Sequence, residues 1–132
     1  MYLQMKKISI ILFVLINTCF FSQTAPQLIS YQGIARNASG AAVVGPVGLV
    51  FQLRAGSAAG AITYSETLST TTNSFGIFNV QIGSGDPTNF ALINWGATTY
   101  FLEVLLDPSG GNSYLPVGSQ QLVSVPYALY AK

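Results

Sequence analysis

Chemistry in this chain would have to come from very few groups. Beyond the first 22 residues the charged side chains are Glu66, Asp86, Glu103 and Asp107 against Arg36, Arg54 and Lys132, a balance of one net negative charge. There is no histidine, so neither a Ser-His-Asp triad nor a Cys-His pair can be assembled. No serine stands in a Gly-x-Ser-x-Gly elbow, and the usual zinc ligands are missing. Glu103 and Asp107 are the closest pair of carboxylates. Four residues apart on an extended strand they are separated by roughly 13 Å, too far to act together, and Asp107 is better placed to cap the turn that follows. Asp107-Pro108-Ser109-Gly110-Gly111-Asn112 does not follow the calcium-loop pattern, in which oxygen ligands recur at alternate positions. Gly83-Ser84-Gly85 follows a strand like a phosphate loop, yet it has no third glycine, no Lys-Ser/Thr pair and no following helix. No catalytic, metal-binding or cofactor-binding residue is expected, and the chain is read as non-enzymatic.

Two further features could recognise a ligand or a partner. Trp95, in Ile93-Asn94-Trp95-Gly96, is the only tryptophan. Its ring could stack on a sugar or another small ligand; the competing reading is a plug that closes one end of the domain, anchored by Leu92 and Ile93, because aromatic side chains contribute most by burial. The closing segment carries Tyr127, Leu129 and Tyr130 with a single charge at Lys132. An apolar terminus needs cover, so these three residues are the expected assembly surface, meeting other copies in a homo-oligomer such as a trimer, or other surface proteins. Packing back on the chain's own domain is the alternative. Clustered Lys or Arg, which phosphate binding requires, is missing, so no nucleic-acid partner is expected. Asn37-Ala38-Ser39 is a glycosylation triplet of a kind that arises often by chance.

The elements that would hold these residues read as strands. The chain has 132 residues, half of them hydrophobic and 7% charged, which suits one compact domain rich in turns. Tyr100 to Asp107 is apolar on both alternating faces except at Glu103 and Asp107, the pattern of a central strand covered on both sides. Val47, Leu49, Phe51 and Leu53 alternate with Gly48, Val50, Gln52 and Arg54, a strand with one face to the core. Further strands are expected at Gln27–Ala35, at Ile62–Leu68 with Glu66 facing the same way as Tyr64, at Ser69–Ser74, at Phe78–Ile82 and at Leu122–Val125, with Pro126 as the stop. Ala91 to Gly96 reads as a long connection. The sum is an all-β chain, a single antiparallel β-sandwich of about seven strands in the Ig-like or prealbumin-like manner.

Residues 1–22 read as a signal-peptide helix, with Lys6 and Lys7 before the apolar run Ile8–Phe21, which is shorter than the ~20 residues of a membrane span. Residues 23–132 form the β-sandwich domain, secreted or at the cell surface, with no integral membrane span after cleavage. Cys19 is the only cysteine and lies in the segment expected to be removed, in a context poor for lipidation. The domain itself would then hold no disulfide.

Ile29-Ser30-Tyr31-Gln32-Gly33-Ile34-Ala35-Arg36, Thr72-Asn73-Ser74-Phe75-Gly76-Ile77-Phe78, Ile93-Asn94-Trp95-Gly96 and Tyr100-Phe101-Leu102-Glu103-Val104 occur in this order. The segment Gln120-Gln121-Leu122-Val123-Ser124-Val125-Pro126-Tyr127-Ala128-Leu129-Tyr130-Ala131-Lys132 closes the series. Together they resemble a family of bacterial secreted, fibre-like surface proteins, and the likeness spans essentially the whole domain. The resemblance implies an N-terminal β-sandwich head of a longer fibre-like or tail-fibre-like protein, with a structural or adhesive role. The Gly40 turn and the entry from Asn73 to Phe78 are also similar to carboxypeptidase-regulatory and prealbumin-like domains, a likeness of fold alone. A glycan- or small-ligand-binding module using Trp95 is the alternative function.

Overall fold

The computed structural model describes residues 28–123. The signal-peptide segment and the assembly residues Tyr127, Leu129 and Tyr130 lie outside the described residues. Within them the chain runs β1 (Ile29–Ile34), β2 (Gly45–Ala55), β3 (Ile62–Thr72), β4 (Ile77–Ile82), a short helix α1 (Pro87–Ala91), β5 (Tyr100–Asp107) and β6 (Leu115–Leu122). Two antiparallel sheets form, one of four strands in the order β3-β2-β5-β6 and one of two strands, β1-β4. The fold is an all-β sandwich with one short helix.

The period-2 pattern of β2 decides the core. Val47, Leu49, Phe51 and Leu53 are fully buried, and each faces inward because alternate side chains of a strand share a face. Phe51 sits opposite Glu66 of β3 and Val104 of β5. On that face β5 adds Tyr100, Leu102, Val104 and Leu106, all buried. The small sheet closes over this layer: Tyr31 of β1 meets the Phe51 ring edge-on at 5.2 Å, and Phe78 and Ile82 of β4 are buried beneath it.

Three turns share one device. Asn37 Oδ1 accepts from the amides of Ser39 and Ala41, and Asn73 Oδ1 accepts from those of Phe75 and Ile77. Asp107 accepts through Oδ1 from the Ser109 amide and through Oδ2 from the Ser113 amide. Three residues after each stands a glycine with positive φ, Gly40, Gly76 and Gly110. A short side-chain acceptor that imitates the backbone, followed by a residue free to enter the left-handed region, is the chemistry of these turns.

The structure corrects several expectations. Ser69–Ser74 is not a separate strand: its residues through Thr72 continue β3, which leaves six strands among the described residues. The last described strand is Leu115–Leu122, not Leu122–Val125; Val123 lies beyond it and residues 124–132 lie outside the described residues. Pro116 and Gly118 disguised β6 in the sequence, and an edge strand tolerates both. β5 is interior, but only one of its faces is fully buried, since Phe101, Glu103 and Leu105 are half-buried. The second face of the sheet is covered at one end, where the loop after β5 folds back over β2. A methyl group added at Gly48 would lie 2.9 Å from the Gly111 carbonyl oxygen and 3.0 Å from the Tyr114 ring, so this close approach requires glycine.

Phe51→Ala should lower stability by roughly 3–5 kcal/mol, as large aromatic truncations in cores do. Gln52→Ala, one residue on and facing away from the core, should cost under about 1 kcal/mol. Denaturant midpoints of the two variants check the register: equal losses would place Phe51 on the wrong face.

Candidate functional site

Each carboxylate of the chain has an internal task. Glu66 points inward between Tyr64 and Leu68 and is 5% exposed. Its Oε1 accepts from the amide of Gly83 at 2.5 Å and its Oε2 from the amide of Gly85 at 2.8 Å. The Gly83-Ser84-Gly85 loop is therefore an anion nest, but the anion is supplied by the chain itself. Successive amides converging on one point favour negative charge, and hydrogen bonds to an ionised carboxylate are the strong kind. Gly83 has a φ of +100°, and a Cβ there would meet the Phe90 ring at 2.6 Å; one at Gly85 would meet Glu66 Oε2 at 2.8 Å. Both glycines thus admit the carboxylate and the ring by having no side chain. Sequence reasoning missed Glu66 as the occupant. Two signals were present: its inward position on β3 and the Gly-Ser-Gly segment in need of an anion.

Asp86 caps α1, accepting from the Asn89 amide at 3.2 Å and the Asn89 side-chain amide at 2.7 Å, as an N-cap aspartate does. Glu103 pairs with Arg54 Nε at 2.6 Å on the outer face, and Arg54 also donates to the Gly60 carbonyl at 3.0 Å. Asp107 is 2% exposed and ties the turn after β5; its pKa is lowered by the Ser109 hydroxyl, then by the amides of Ser109 and Ser113, all of which donate to it. The Tyr64 phenol is pushed up, first by burial and then by the negative charge of Glu66. No cluster of three or more His, Cys, Asp or Glu residues suited to a metal occurs among the described residues.

Trp95 sits in a row of edge-on aromatic contacts. Tyr64 and Phe90 lie 5.1 Å apart, Phe90 and Trp95 5.6 Å, and Trp95 and Tyr100 5.4 Å between ring centroids. The Tyr100 hydroxyl donates to the Asn94 carbonyl at 2.9 Å and pins this connection to the sheet. Trp95 itself remains 41% exposed, and Leu92 is 77% exposed. Leu92 therefore does not anchor the segment; it caps the C-terminus of α1, while Phe90, 1% exposed, fills the core. Ile93 packs against the core as expected. Beside this row, Tyr64, Asp86, Asn89, Asn94 and Tyr100 line an open cleft of about 420 Å³.

A larger cleft of about 700 Å³ runs between β3 and the β1-β4 sheet, among Ser30, Gln32, Ser69, Thr70, Asn79 and Gln81. Hydroxyls and amides there can exchange hydrogen bonds with a neutral polar molecule, but they offer no acid, base or charged nucleophile.

The fold and these contacts define a β-sandwich domain whose carboxylates are committed to its own structure. The chain belongs to the family described as a domain of unknown function, DUF8740, whose model matches residues 30–120. No curated protein and no solved structure matches it.

Glu66→Ala leaves two buried amides without an acceptor, at roughly 1–3 kcal/mol each. It should lower the melting temperature far more than Glu66→Gln, which keeps one acceptor oxygen; equal melting temperatures for Glu66→Ala and the parent would show that the nest contributes nothing. Asp107 supplies a pH test. Its folded pKa is depressed, so its contribution is complete above the ordinary aspartate range near about 4 and is lost as pH falls through the folded value. Urea midpoints measured from neutral to acid pH should fall more steeply in the parent than in Asp107→Asn.

Proposed function

We propose that the domain is a non-enzymatic structural or adhesive module, secreted or displayed at the cell surface, in keeping with its resemblance to the heads of fibre-like surface proteins. The observation that carries this reading is the engagement of all four carboxylates. Glu66 holds a loop, Asp86 caps a helix, Glu103 pairs with Arg54 and Asp107 closes a turn. General acid–base and nucleophilic catalysis need a group free to move a proton or attack, and the four side-chain carboxylates are spent on architecture. The surface left over is neutral and rich in hydroxyls and amides, which suits contact with neighbouring proteins. Export is supported by the charged start at Lys6 and Lys7 and the short apolar run that follows.

A second reading, a glycan- or small-ligand-binding module, is favoured by one observation: Trp95 is partly exposed beside the cleft lined by Asp86, Asn89 and Asn94. Sugar recognition commonly combines an aromatic face with amide and carboxylate hydrogen bonds.

One pair of measurements separates the readings. Fractionation of the native host should place the protein in the medium or at the cell surface, with a mature N-terminus near Gln23. Fluorescence of the single tryptophan should stay constant across a panel of mono- and oligosaccharides. Saturable change in that fluorescence, with binding measured independently by calorimetry and lost in Trp95→Ala, would replace the structural reading with the ligand-binding one. Retention of the protein in the cytoplasm would refute both.

A further inference from the structure

The small sheet turns its apolar side chains inward and is left with an uncharged outer face. Tyr31 of β1 and Phe78 and Ile82 of β4 point to the core, so Ser30, Gln32, Asn79 and Gln81 point away from it, and all four are exposed. The register sets Ser30 directly opposite Gln81 and Gln32 opposite Asn79. Neighbours across the pair and along each strand form a rectangle of roughly 5 by 7 Å, the scale of one pyranose ring with its hydroxyls. A solvent-facing surface commonly carries Lys, Arg, Glu and Asp; this one carries hydroxyls and side-chain amides. It forms one wall of the cleft of about 700 Å³. Across the cleft, Ser69 and Thr70 of β3 add hydroxyls, and Leu68 with Val80, both half-buried against the core, adds an apolar strip. Ser84 lines the cleft beside Gln81, its hydroxyl donating to the Gln81 carbonyl at 2.6 Å. The Glu66 clamp fixes the loop that carries Ser84, and that loop rests on Leu68, since a Cβ added at Gly85 would lie 3.0 Å from its side chain. The cleft is therefore pre-formed, as small-ligand sites usually are.

We infer that this cleft binds a neutral oligosaccharide chain. Among the described residues no Lys, Arg, Asp or Glu lines it, so a phosphate, a carboxylate or a metal ion would find no opposite charge there to replace its water. A lipid would strip water from the hydroxyls and amides and return no hydrogen bonds. An extended peptide is held by backbone pairing and by pockets for alternate side chains. This wall is a sheet face, which presents side chains rather than backbone groups, and Leu68 and Val80 form one strip rather than a row of pockets. A neutral sugar matches the lining. Its hydroxyls both donate and accept, and each Gln or Asn side chain offers a donor and an acceptor side by side. Its C–H face can lie on the apolar strip. The volume of about 700 Å³ falls within the range of small-molecule sites, roughly 300–1,000 Å³. Trp95 does not line this cleft, so the site is separate from the one beside the tryptophan. It gives the adhesive module a ligand class, and it rests on that reading only for the setting, outside the cell, in which a polysaccharide is met.

Titration of the full chain, followed by NMR, tests the site. The probes are hexamers of α- and β-linked glucose, mannose, galactose, xylose and N-acetylglucosamine, with a galacturonate hexamer as the charged control. At least one neutral hexamer should shift the side-chain amide signals of Gln32, Asn79 and Gln81 saturably and leave the Trp95 indole signal in place. Gln32→Ala combined with Asn79→Ala removes two exposed amides from the outer face, so the melting temperature should stay at that of the parent. Affinity for the same hexamer should fall about tenfold, the worth of two neutral hydrogen bonds. Three results overturn the site: no saturable shift with any neutral hexamer, shifts confined to Trp95 and Asn94, or equal affinity in the parent and the double variant. Tighter binding of the galacturonate hexamer overturns the ligand class, and saturable binding of a neutral extended peptide in place of the sugars does the same. The adhesive reading fails separately. A secreted protein that binds none of the probes keeps that reading and loses the site, whereas a protein retained in the cytoplasm that binds one keeps the site and loses the reading.

Discussion

Glu66 is the interaction on which the two sheets depend. It belongs to β3, at one edge of the large sheet, and it holds the loop that ends β4, in the small one. Removing a carboxylate from water is costly unless its hydrogen bonds are replaced, and the amides of Gly83 and Gly85 replace them. The same loop leads into Asp86 and α1, so the position of Phe90 against the core follows from where Glu66 fixes Gly83. Phe90 in turn supports Trp95, and Trp95 meets Tyr100 at the start of β5. One buried charge thereby orders a path from the edge of the large sheet to its interior strand. Hydrophobic burial supplies the bulk of the stability, but burial alone does not fix the angle and register at which a two-stranded sheet lies on a four-stranded one.

Charge is scarce in this chain, and among the described residues most of it is engaged within the domain. Arg54 and Glu103 neutralise each other on the outer face, and Arg36 donates to the Gly40 carbonyl within its own turn. What remains for partners is shape, hydroxyls, amides and a few exposed apolar side chains. Such a surface recognises a neighbour by shape and neutral hydrogen bonds rather than by charge.

Much of this was legible in the sequence because local chemistry dictated it. Val47, Leu49, Phe51 and Leu53 announce a strand and its inward face, and Asn37, Asn73 and Asp107 announce their turns through the glycine three residues on. Tyr100 to Asp107 reads as a central strand covered on both sides; it is interior, but one of its faces is only half-buried. The features that escaped are those that depend on distant partners or that bury nothing. Glu66 gains its meaning only from a loop 17 residues away. The helix Pro87–Ala91 has 5 residues, too few for a 3.6-residue period to register. β6 lacks alternation because seven of its eight residues are exposed and only Leu122 packs against the core, and a strand that buries so little leaves no hydrophobic pattern to read.

The most direct test of the central role of Glu66 is native-state hydrogen exchange at the amides of Gly83 and Gly85. Loop amides ordinarily exchange through local openings, whereas core amides wait for global unfolding. If the carboxylate clamp joins the sheets, these two loop amides exchange with the same free energy and the same denaturant dependence as the amides of Phe51 and Val104 in the core. Exchange of Gly83 and Gly85 at the rate of the exposed turn at Ser57–Gly60, with the core still protected, would contradict the account and show the two sheets to be held together by apolar packing alone.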